Sequence, residues 1–98
     1  MEVIDNRPRA WFLLREGGDY YLDINASQGI VSYSFRLRLT PEETQGCLAR
    51  GGVYLDELSE KINYSIRDYQ SRDLAPAMGE RVDRAILTWR ASHSDASI

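Results

Sequence analysis

The segment Ile30–Glu43, IVSYSFRLRLTPEE, constrains the fold more than any other part of the chain. Val31, Tyr33, Phe35, Leu37 and Leu39 are apolar, and Ser32, Ser34, Arg36 and Arg38 between them are polar. Successive side chains of a strand point to opposite faces, so this alternation predicts a strand with one buried and one polar face. The pattern stops at Thr40-Pro41-Glu42-Glu43. Thr40 reads as a helix N-cap, Pro41 as the first helical residue, and Glu43 completes the spacing of a capping box. Both glutamates also suit the positive end of a helix dipole.

Two shorter strands are expected upstream. Ala10–Arg15 is a short apolar run, and Tyr20–Asn25 alternates Tyr20, Leu22 and Ile24 with Tyr21, Asp23 and Asn25. Gly17 and Gly18 between them supply the positive φ angles of a tight hairpin. Ala26–Gly29 reads as a second turn, and residues 1–8 as a flexible lead-in without periodicity. Downstream, the helix opened by Thr40 should close at Gly51-Gly52, with Gly46 weakening it or permitting close packing. Leu55, Leu58, Ile62 and Ile66 mark a second helix over Val53–Ile66. Arg67–Asp73 is a charged break. A last helix, capped by Asp73 or Ser71, takes Ala75-Pro76 as its first turn, with Met78, Val82, Ala85, Ile86 and Trp89 as its apolar stripe, and residues 91–98 read as a frayed tail.

The expected architecture is α+β, one domain over residues 1–98: a three-stranded antiparallel meander followed by three helices packed on one sheet face (βββααα), a two-layer sandwich. The helices should cover Leu22, Ile24, Val31, Tyr33, Phe35 and Leu37. The opposite face, with Tyr21, Asp23, Ser32, Ser34, Arg36 and Arg38, should be open. The first strand resists this division, because Trp11 and Leu13 point one way, Phe12 and Leu14 the other, and all four are apolar. A strand apolar on both sides is covered on both sides. The second cover has three sources: the lead-in, the tail or another subunit. A homodimer through Trp11, Phe12 and Leu14 is the expectation adopted.

Composition limits the chemistry. A net charge of −3 and a pI near 5.1 argue against general attraction to nucleic acid. No apolar run has the roughly 20 residues of a membrane helix. The first residues lack a basic-then-apolar leader, and the single cysteine, Cys47, has no internal partner for a disulfide, so a cytoplasmic setting is expected. No metal-ligand spacing occurs, and His93 lies in the expected tail. No nucleophile has an ordered base, so no catalytic residues, metal or cofactor are assigned. Cys47 is read as a small buried residue, and the glycine pairs as turns and caps rather than phosphate loops.

Binding residues are therefore sought on surfaces. Tyr21, Asp23, Arg36 and Arg38 on the open sheet face form one candidate, with Tyr69 and Arg72 in the charged break as a second. The favoured function is a small non-catalytic domain, bacterial in type, acting through contacts with an unidentified protein partner as an inhibitor, immunity-type or regulatory module, its acidic surface meeting a basic one. Two rivals stand beside it. One is a ligand-binding or enzymatic domain with a pocket between sheet and helices, using Tyr33, Tyr64 or Cys47 with an arginine. The other is weak single-stranded nucleic-acid binding through Arg36 and Arg38.

Overall fold

The computed structural model describes residues 1–28 and 31–93. The chain is α+β. Strands β1 (Glu2–Arg7), β2 (Trp11–Glu16), β3 (Asp19–Gln28) and β4 (Val31–Arg38) are followed by helices α1 (Pro41–Arg50), α2 (Gly52–Tyr64), the short α3 (Ile66–Tyr69), a 3₁₀ turn over Gln70–Arg72, and α4 (Pro76–His93). The strands form one antiparallel sheet in the order β1-β2-β3-β4. Gly17, at φ 62°, turns the β2–β3 hairpin, and Glu16 faces Asp19 across it.

The sheet thus has four strands rather than three. Residues 2–7, expected as a lead-in, pair with β2 through a register shift between Val3 and Asp5. That irregularity and the edge position explain why their sequence lacks a clean period. Ala26, Ser27 and Gln28, expected in a turn, continue β3. The rest of that turn, the strand start at Ile30 and tail residues 94–98 lie outside the described residues.

The helix signals hold. The Thr40 hydroxyl accepts from the Glu43 amide at 3.1 Å, while the Glu43 carboxylate accepts from the Thr40 amide at 2.9 Å. Gly51, at φ 64°, separates α1 from α2. Gly46 brings α1 onto α2, since a Cβ there would come within 2.8 Å of the Tyr54 ring.

The layering departs from the expected sandwich. On one face, Trp11, Leu13, Leu22, Ile24, Phe35 and Leu37 join Cys47, Leu55, Leu58, Ile62 and Ile66 of α1–α3 in the main core. On the other, Leu14 and Tyr21 are buried with Val82 and Ile86 of α4, flanked by Val3, Phe12 and Met78. Between the two layers the chain passes along the β4 edge. Asp73 bridges Leu37, and the Leu74 amide donates to the Arg36 carbonyl at 2.9 Å. This crossing covers an edge that would otherwise offer free backbone groups. Helices therefore lie on both faces, and the two-sided apolar pattern of β2 is satisfied by its own chain.

Candidate functional site

The site is built where α4 crosses the polar half of the sheet. On β3, Tyr21 and Asp23 point toward α4, and on β4 Arg36 stands directly opposite Asp23. In a three-stranded, one-sided fold these groups would be solvated. Under α4, Tyr21 is 4 % and Asp23 6 % exposed. The expected open contact surface of Tyr21, Asp23, Arg36 and Arg38 is corrected accordingly.

Arg36 lies beneath the helix. Its Nη1 donates to Asp83 Oδ1 at 2.6 Å and toward the Gly79 carbonyl at 3.4 Å. Its Nε is buried and has no hydrogen-bond partner among the described residues. Gly79 makes the passage possible: a Cβ there would lie 2.7 Å from Arg36 Nη2. Arg38, one pleat position removed, stays exposed and pairs with Asp19 at 2.7 Å. The two arginines therefore do not share an accessible surface, and the paired platform expected for a nucleic acid is not formed.

Asp23 is the one buried carboxylate among the described residues. No donor among the described residues hydrogen-bonds it. Burial pushes its carboxyl up to about 6, against the pull of Arg36, with Asp83 adding to the rise and Arg90 opposing it. It lines an open cleft of about 580 Å³ between the sheet and the C-terminal half of α4. Phe12, Ile86 and Leu87 give apolar walls; Asn25 and Ser34 add neutral polar groups; Asp83, Arg9 and Arg90 complete the lining.

The two arginines of the lining form no ion pair among the described residues. Arg9 sits in the β1–β2 turn at φ 67°, a left-handed backbone unusual for a residue with a side chain. The Asn25 side chain donates to its carbonyl at 3.0 Å. The Arg90 guanidinium lies over the Phe12 ring, 5.4 Å from its centroid. Trp89 meets the same ring edge-on at 5.5 Å, fixing α4 against β2.

The remaining candidates are not brought together. Arg72 makes a two-pronged bond to Glu43, at 2.6 and 3.0 Å, and donates to the Arg38 carbonyl at 2.9 Å. It staples the charged break to α1. Its guanidinium lies 5.7 Å from the centre of Tyr69, which packs on the main core. Burial works against the Glu43 charge, but the bonds from Arg72 and Thr40 outweigh it and hold the carboxyl below its ordinary range. Trp11 and Leu14 are buried, and Phe12 packs under α4, so the surface expected for a second copy is occupied within the chain. Trp11 Nε1 also donates to Asp56, which Arg7 grips from the other side at 2.8 Å.

The rival pocket residues are scattered. Tyr64 is exposed at the end of α2, Tyr33 is on the outer strand, and neither lines the cleft. Cys47 is buried in the main core, and burial, with a smaller push from Asp5, raises its thiol away from thiolate chemistry. Among the described residues, no group of three or more metal-binding side chains gathers, and no helix is long and apolar enough to cross a membrane.

Sequence reasoning included Asp23 but gave it the wrong setting, and it missed Arg9 and Arg90. The usable signal was the apolar outer pair Phe12 and Leu14. It demanded a cover, and the stripe of α4 was long enough to supply one. No family model matches the chain, and no curated protein or solved structure is significantly similar to it.

Proposed function

We propose that this chain is a small binding domain, and that the cleft beneath α4 is where it takes a charged ligand. The observation that carries this reading is Asp23. Native folds pair their buried charges, because an unpaired one costs several kcal/mol of solvation. Here a carboxylate is kept under a helix without a hydrogen bond from any described residue, at the lining of a cavity large enough for a small molecule. Perturbed titratable groups in clefts concentrate at functional sites. The neighbouring Arg9, with its left-handed backbone, adds a second local departure from fold economy in the same place. The role is recognition: Asp83, the other carboxylate of the cleft, is engaged by Arg36 and is not free to serve as a second acid or base. A cytoplasmic setting accompanies this reading, with Cys47 held as a thiol.

The test is a screen of small charged metabolites against the isotope-labelled chain, followed by amide NMR shifts. Ligands should move the amides of Asn25, Ser34 and Leu87 together. Shifts that cluster on α1 or α2, or an absence of shifts across cationic, anionic and mixed-charge compounds at millimolar concentration, would remove the proposal.

A second reading, contact with a protein partner, draws on Leu48, Val53 and Tyr64. These are 62 %, 57 % and 92 % exposed on the helical layer away from α4. It predicts that Leu48→Ser leaves folding intact and abolishes partner capture, whereas Asp23→Asn does not affect it.

A further inference from the structure

We infer that the cleft beneath α4 takes a zwitterion, an apolar α-amino acid whose ammonium group meets Asp23 and whose carboxylate meets Arg90 and Arg9. This rests on the reading of the cleft as a ligand site and adds the class of ligand.

The chain has eleven arginines. Eight of them hold a carboxylate: Arg7, Arg15, Arg36, Arg38, Arg50, Arg72, Arg81 and Arg84. Arg9, Arg67 and Arg90 hold none among the described residues. Two of those three line the cleft that also contains the buried, unbonded Asp23. Two arginines without an ion pair and a buried carboxylate without a hydrogen bond among the described residues thus share one cavity.

The spacing selects the ligand class. Arg90 is near enough for its charge to be felt at Asp23, yet the two form no ion pair. A molecule carrying both charges in the reverse order would bridge that gap. A simple cation would meet Asp23 and be repelled by Arg9 and Arg90. A simple anion would meet the arginines and face the Asp23 carboxylate. A zwitterion satisfies both ends, and charge-assisted bonds of this kind are about twice as strong as neutral ones. Arg90 is restrained on the Phe12 ring, which reduces the ordering needed on binding. Phe12, Ile86 and Leu87 offer contact for an apolar side chain, and Leu87 stands 65 % exposed at the cleft, with apolar surface to cover.

The experiment titrates the full chain with three probes: L-leucine, L-leucinamide, which lacks the carboxylate, and N-acetyl-L-leucine, which lacks the ammonium. L-Leucine should shift the Asn25, Ser34 and Leu87 amides, and each capped probe should bind at least about ten-fold more weakly, the loss of one charge-assisted bond. Asp23→Asn should weaken L-leucine by about the same factor without weakening N-acetyl-L-leucine; Arg90→Gln should spare L-leucinamide instead. If a capped probe binds as tightly as L-leucine and moves the cleft amides, the zwitterion inference fails while the cleft survives as a ligand site. If none of the three moves those amides, the inference also fails, and the wider metabolite screen decides the cleft itself.

Discussion

The two faces of the sheet are built to different standards. Beneath α1–α3 the interior is apolar, and the charges around it are tied off: Arg7 and Trp11 on Asp56, Arg72 on Glu43, and the capping box at Thr40. Beneath α4 the interior is shared by apolar and ionic groups. Leu14, Val82 and Ile86 share this layer with Asp23 and with the Arg36 Nε, neither of which has a hydrogen-bond partner among the described residues. The first face stabilises the fold. The second carries polar groups that are less fully satisfied, next to a cavity. In a chain of 98 residues the contrast is informative, because total stability is only about 5–10 kcal/mol and each unsatisfied group removes a sizeable part of it.

The sharpest way to break this comparison is to empty each side in turn. Leu22 is fully buried in the main core, and Leu22→Ala should cost about 2–5 kcal/mol in urea unfolding. Ile86 borders the cleft, where water and side chains can relax into the space left behind, so Ile86→Ala should fall near the low end, about 2 kcal/mol. A larger loss at Ile86 than at Leu22 would mean that α4 seals the tighter layer.

Next in size is Glu43. It combines a cap with a two-pronged arginine bond, and Glu43→Gln should lower stability at neutral pH by about 1–3 kcal/mol. Its folded carboxyl lies below the ordinary value of 4.5. Its contribution is therefore present above that value and is lost as pH falls through the lower folded one. Wild type and variant should converge in acid. A gap that is independent of pH would show that the Glu43 charge contributes nothing.

Local signals were easier to read in the sequence than the layering. The capping box, the Gly17 turn and the alternation of β3 and β4 depend on neighbours in the chain, so residue order reveals them. β1 was missed because an edge strand with mostly exposed side chains, shifted in register between Val3 and Asp5, leaves no hydrophobic period. The stripe Met78–Val82–Ile86–Trp89 announced α4 but not the face on which it docks. That choice depends on the long-range crossing at Asp73 and Leu74. It also decides whether Asp23 is a solvated strand residue or a buried charge. The candidate site was therefore legible as residue types and not as a place. Arg9 and Arg90, distant in sequence, meet at the cleft only because α4 folds over β2.

Asp23→Asn gives the smallest stability effect and the most direct test. The native carboxyl titrates near 6 and its unfolded counterpart near 3.8. Between those values the folded state binds more protons, so stability falls as pH rises through that window. The full shift is on the order of 3 kcal/mol, of which the neutral amide should recover about 1–2. Urea unfolding at pH 7.5 and at about pH 3.5 reads this difference. The account predicts a variant more stable than wild type at the higher pH and equal to it at the lower. A variant less stable at pH 7.5 would show that the Asp23 charge holds the fold together, and the case for a ligand beneath α4 would go with it.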